Sequence, residues 1–236
     1  MSGRVSSASA LLEAAAREQA VETRRLDDEL LLLGHGDRSV LCHGFVVTAS
    51  RVAQALCDND AWLRAHLARR GLPVVDTRLV AADDARFGQW AAEALGYPVR
   101  MRPAEGPDKD AQLAARGDSF GPAWRAVTGR LGDRRGQVIL ERAVAGESVA
   151  VAVIGAEAIV DPSAGNEVAK SATLLSLRVV DTLPGVSCAS VHIARESDGM
   201  VVDRVDPAFL SWIGTASATA VAKRILAHAL TASTFP

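Results

Sequence analysis

Apolar positions along the 236-residue chain follow two rhythms, and the switches between them outline the elements. Recurrence every three or four residues marks one face of a helix. It runs through "SASALLEAAAREQA" (7–20), behind a serine at a capping position, and through "TASRVAQALCDNDAWLRAHLARRG" (48–71), in two pieces broken near Asp58-Asn59-Asp60. Four more segments share it: "ADDARFGQWAAEALG" (82–96), "GPAWRAVTGRLG" (121–132), "NEVAKSATLLSLRVV" (166–180) and "TASATAVAKRILAHAL" (215–230). Asp83-Asp84 suits a positive helix N-terminus, while Gly71 and Gly96 suit C-terminal ends. Alternation and short apolar runs predict strands at "VETRRL", "ELLLLGHG" and "RSVLCHGFVV", with Gly34-His35-Gly36-Asp37 as a hairpin turn. Further strands are expected at "LPVVDTRLV", "VRMRP", "QVILERAV", "ESVAVAVIG" and "AEAIVD", and "GVSCASVHIARE" and "GMVVDRVDP" read as an antiparallel pair. The sum is an α+β chain with mostly antiparallel strands in its second half, without internal repeats or a low-complexity linker.

Composition narrows the function classes. At 49% hydrophobic and 23% charged the chain has enough apolar residues for a packed core. A net charge of −2, with no run of Lys or Arg, predicts no nucleic-acid partner. No stretch reaches membrane-spanning length and the N-terminus lacks the apolar core of a signal peptide, so a membrane is not expected either. Cys42, Cys57 and Cys188 are odd in number and widely spaced, which points to buried thiols in a reducing, cytoplasmic setting.

"ALGYPVRMRP" (94–103) carries the most specific question. It reads as a helix end, a turn at Gly96-Tyr97-Pro98, and a strand with Arg100 and Arg102 two residues apart on one face. Together with "SRVAQALCDNDAWLRAHLARRGLPVVDTRLV", "VILERAVAGESVAVAVIG" and "LPGVSCASVHIARESDGMVVDRVDP", in this order, it resembles the ATP-grasp superfamily of carboxylate–amine ligases, closest to cyanophycin and glutathione synthetases. The resemblance spans roughly residues 31–236. It implies two α+β subdomains with mostly antiparallel sheets around a cleft. Residues 1–49 would form an N-terminal segment, 50–138 the first subdomain and 139–236 a shortened second one.

The resemblance assigns roles residue by residue. Arg102 falls where the family has a phosphate-binding lysine; an arginine that reaches water or pairs with Glu105 is the other reading. Glu141 and Glu147 match the hinge acids for adenine and ribose, although Glu147 follows Gly146 one residue early; a hairpin with solvated acids would look the same. Asp206 is the candidate magnesium ligand. Arg204 occupies the neighbouring ligand position, and Ser187 that of a third acid.

Departures are equally specific. A second family lysine is replaced in Asn59-Asp60, and a carboxylate there repels a triphosphate. "PAEGPDKDAQLAARG" has only Gly106 before Gly117, too few glycines for a loop that cradles phosphates. Only Asp161–Pro184 replaces a long central region of the substrate wall.

Other chemistry has weaker signals. The five histidines show no metal-binding spacing, and those in helices and strands, His66, His228 and His192, read as satisfied or solvated. Ser187-Cys188 lacks a nucleophile-elbow motif. The four tryptophans are expected to anchor the core.

The reading is therefore a truncated, degenerate ATP-grasp protein without ligase activity. It would serve as a nucleotide-binding or partner-binding subunit, as a homodimer or beside an active ligase paralogue. ATP is the implied cofactor, with magnesium poorly provided for. The alternative is an active ATP-dependent ligase joining a carboxylate to an amine on a small amino-acid-like substrate, with Arg102 and Arg204 on phosphates, Glu147 on ribose and Asp206 on magnesium. A third, ATP-independent chemistry has no residues assigned by sequence.

Overall fold

A computed structural model describes residues 7–28, 30–35, 38–46, 51–104, 111–131, 136–144, 146, 148–162, 164–196, 199–209, 212, 215 and 217–232. Its contacts divide the chain into two compact units. One comprises residues 1–54, 148–193 and 204–236; the other comprises 55–147 and 194–203.

In the first unit, helix α1 (Ala8–Glu18) starts as its sequence predicts, the Ser7 side chain accepting from the Ala10 N–H. Strands β1 (Glu22–Arg25), β2 (Leu30–His35) and β3 (Arg38–His43) form an antiparallel sheet in that order. Along β2 the leucine run alternates as a half-buried strand should: Leu31 and Leu33 are fully buried. A second sheet has the order β11-β10-β8-β9, built from β8 (Ser148–Ile154), β9 (Glu157–Val160), β10 (Cys188–Glu196) and β11 (Gly199–Asp206); residues 194–203 of the last two strands are counted with the second unit. Its companion helices are α6 (Asn166–Asp181) and α7 (Ala218–Ala232). Leu12, Phe45, Ile154, Phe209, Trp212 and Ile225 belong to one core, so α1 and the N-terminal sheet pack with the C-terminal elements. The indole N–H of Trp212 donates to the Ser190 hydroxyl at 3.0 Å, which satisfies its one buried polar atom.

The chain first passes from one unit to the other within helix α2 (Arg51–Cys57). The second unit contains α3 (Asp60–Ala68), capped by Asn59. Its sheet has the order β4-β7-β5-β6, antiparallel throughout, from β4 (Thr77–Ala81), β5 (Val99–Pro103), β6 (Gln112–Ala114) and β7 (Gln137–Arg142). Helices α4 (Ala85–Leu95) and α5 (Gly117–Thr128) cover one face, where Val99, Met101, Val138, Leu140, Ala92 and Trp124 make the core. Gly96 ends α4 at φ +81°, a left-handed value that favours glycine.

Three local expectations change. Helix α5 begins four residues before Gly121, because Gly117–Phe120 supplies its first turn and the Ser119 hydroxyl accepts from the Arg116 N–H. Gln112–Ala114, read from sequence as phosphate-covering loop, pairs with β5 as a strand. Trp124 and Trp212 are buried as expected, but Trp62 and Trp90 are exposed, Trp90 stacking on Phe87 at 5.3 Å.

Candidate functional site

The alternation of β5 decides which way its arginines face. Val99 and Met101 enter the helix-covered core, so Arg100 and Arg102 share the opposite face. Register places Thr77, Glu141 and Arg100 in one row across β4, β7 and β5, and Leu79, Ile139 and Arg102 in the next.

Helix α3 supplies charges complementary to these rows. Asp60 and Arg64 are four residues apart and therefore on one helical face. The Asp60 carboxylate accepts from the Arg102 guanidinium. Arg64 Nη1 donates to Glu141 Oε2 at 2.5 Å and to Thr77 Oγ1 at 2.6 Å. Its Nη2 donates to the Asp203 carbonyl at 3.0 Å and lies 3.4 Å from the Asp203 carboxylate. Arg100 Nη1 donates to the other Glu141 oxygen at 2.7 Å.

Three cations (Arg64, Arg100, Arg102) thus meet three carboxylates (Asp60, Glu141, Asp203), and the local charge sums to zero. The side chains of Glu141, Arg64 and Arg102 are only 2%, 4% and 6% exposed. Charges this buried persist only when paired. An open depression of about 340 Å³ on α3 and β4 is lined by Trp62, Ala65, Val75 and Arg78 among others; neither Arg102 nor Glu141 lines it.

The segment after Glu141 is also held internally. Arg142 N–H donates to the Asp76 carbonyl and Ala143 N–H to the Pro98 carbonyl. The Arg142 side chain meets Glu196 at 2.5 Å. Gly146 has a steric reason to be glycine, since a Cβ there would lie 1.7 Å from the Arg195 carbonyl oxygen. Glu147, Glu105 and Gly106 lie outside the described residues.

Arg204 and Asp206 stand in the first unit, near the end of β11. An Arg204 Nη2 lies 3.4 Å from His192 Nε2 on the neighbouring strand β10. Burial first, then the Arg204 charge, push the His192 pKa down to about 4, with Asp206 opposing weakly. Asp206 Oδ1 accepts from the Ala208 N–H at 2.8 Å.

Magnesium selects several hard oxygens, and a guanidinium cannot be one of them. Among the described residues no group of three or more His, Cys, Asp or Glu side chains could hold a metal. The residues present at these positions do not fit a magnesium ion.

Sequence reasoning singled out Arg102 and Glu141 but not Arg64, although Asp60 and Arg64 at i, i+4 were a readable signal. It also set aside His228, whose Nε2 lies 3.0 Å from the Ser187 hydroxyl.

The fold is that of known ATP-grasp ligases. No family model and no curated protein matches the chain. Among solved structures, D-alanine–D-alanine ligase from Bacillus anthracis superposes with a TM-score of 0.62 at 13% identity, covering 78% of this chain and 69% of that one. A RimK-domain ATP-grasp protein from Sphaerobacter thermophilus gives 0.60 at 21% identity, with 75% and 69% covered. Carboxyaminoimidazole ribonucleotide synthase from Aspergillus clavatus, solved in complex with ATP, gives 0.58 at 16%; this chain covers 53% of its length. The α+β, ATP-grasp-like architecture expected from the sequence is therefore observed. No helix among the described residues is long and apolar enough to cross a membrane.

Proposed function

We propose that this chain is a non-catalytic ATP-grasp protein, a nucleotide- or partner-binding subunit that does not run the ligase reaction. The observation that carries this reading is the Asp60 carboxylate on Arg102. At the two positions where the resemblance expects a pair of phosphate-binding lysines, this chain has one cation and one anion, and they pair with each other. Two lysines would present a charge of +2 to a triphosphate; Arg102 and Asp60 present none. Loss of a single transition-state contact costs about 100-fold or more in rate, and here the magnesium positions change as well. ATP retention would rest on the adenine and ribose end, at Glu141 and Glu147, rather than on phosphates or magnesium. The homodimer or ligase-paralogue partner and the cytoplasmic setting are part of the same proposal.

The competing reading is an active carboxylate–amine ligase with Arg102, Arg204, Glu147 and Asp206 in the roles given above. It draws on the ligases and the synthase among the structural neighbours. Calorimetric titration with ATP, with and without magnesium, separates the two. The non-catalytic reading predicts that magnesium leaves the ATP affinity unchanged and that Glu147→Ala weakens any binding. An absence of heat at millimolar nucleotide would leave partner binding alone. Tightening by magnesium would overturn the reading in favour of the ligase.

A further inference from the structure

Outside the charged groups above, one pair of side chains has the arrangement of a nucleophile and its base. Ser187 lies just before β10, and His228 lies on α7, 41 residues later. Their Oγ and Nε2 atoms are 3.0 Å apart, within reach for direct proton transfer. Both residues are half-buried, neither sealed in the core nor fully in solvent.

A glycine borders the imidazole on its other side. Gly155, at φ +60°, closes the turn between β8 and β9, and a Cβ there would stand 3.0 Å from His228 Nδ1 and 3.1 Å from Cε1. The missing side chain thus leaves the space that the ring edge occupies. The same glycine donates its N–H to the Ser187 carbonyl at 2.7 Å, so the residue that seats the base also fixes the backbone carrying the hydroxyl. All three residues belong to the first unit. The neighbouring Cys188 sulfur is 3.8 Å from the hydroxyl, but it is buried and burial raises its pKa, which keeps it a thiol and a poor competitor.

We propose that Ser187 and His228 form an acyl-transfer dyad that accepts the acyl group of small activated esters. This is a chemistry independent of ATP and of magnesium. Ser187 Oγ attacks the ester carbonyl carbon as its proton passes to His228 Nε2. The carbon–oxygen bond to the alcohol breaks, and the leaving oxygen departs with that proton or, for a phenolate, leaves the proton on the imidazole to return to solvent. Water then attacks the acyl-serine, again losing a proton to His228. The acid is released, and the serine oxygen takes the proton back. The proton on Nδ1 is the tautomer that lets Nε2 accept from the hydroxyl.

The test uses the whole chain and p-nitrophenyl acetate at neutral to mildly alkaline pH. Nitrophenolate release is followed by absorbance, and the acetyl group is located by mass spectrometry of peptides after a rapid acid quench. The proposal predicts a burst of release with acetate on Ser187. Ser187→Ala abolishes the burst, and His228→Gln slows it by about 100-fold or more, the usual contribution of a general base. Circular dichroism identifies any variant that fails to fold; for such a variant the adduct map of the unaltered protein decides. An adduct confined to Cys188, to lysines or to His228, or a Ser187 adduct whose rate ignores His228→Gln, overturns the proposal.

Discussion

Replacing Glu141 by glutamine tests the energetic core of the account. Glu141 is a buried carboxylate with one oxygen on Arg64 and the other on Arg100. Glutamine keeps the shape but removes the charge, and it turns an NH2 group toward one of the guanidinium groups. Removing one partner of a buried ion pair costs about 3–5 kcal/mol. Two features place the expected loss at the low end. Arg64 retains the Asp203 carbonyl and carboxylate, and Arg100, 30% exposed, can turn toward water. A loss of about 3 kcal/mol in a protein of this length corresponds to a fall in melting temperature of about 6–12 °C. Urea denaturation and calorimetry, following the transition of the unit that contains residues 55–147, read both quantities. Arg142→Gln provides the contrast. That pair is half-buried, with 39% of the Arg142 and 15% of the Glu196 side chain in solvent, against 4% and 2% for Arg64 and Glu141, so its loss should cost less. A Glu141→Gln loss below 1 kcal/mol, or one no larger than that of Arg142→Gln, would refute the idea that these charges hold each other.

Two further outcomes are expected. With its pKa at about 4 in the fold against 6.5 when unfolded, His192 takes up its proton more readily in the unfolded chain. Stability should therefore fall as pH drops from about 6.5 to 4, by about 3 kcal/mol from this residue. His192→Gln should flatten that part of a pH–stability curve, and an unchanged slope would exclude His192 as its source. Gly88 on α4 faces Trp124 on α5 so closely that a Cβ would lie 2.7 Å from the indole ring. Gly88→Ala should cost about 1–3 kcal/mol by overpacking, measured in urea, despite the helix propensity it adds; a stabilised variant would contradict the packing described.

Much of the fold was readable because it is written locally. The alternating leucines of β2, the Ser7 cap and the terminal glycine of α4 each encode their element within a few residues. Pairings over long distances were not readable. No local signal says that α1 shares a core with α7, or that Asp60 meets Arg102 across 42 positions. The two arginines of β5 were visible as a charged face, yet whether they served an outside anion or an internal one depended on α3. The same holds for Ser187, whose base comes from a helix where a histidine looks unremarkable.

An ADP-release assay on the purified chain shows whether it runs the ligase reaction. ATP and magnesium are supplied with a broad panel of amino acids and peptides as carboxylate and amine donors. A non-catalytic chain should leave the rate of ADP appearance the same as without it, for every donor pair. ADP formation that requires magnesium, one carboxylate and one amine together would contradict it.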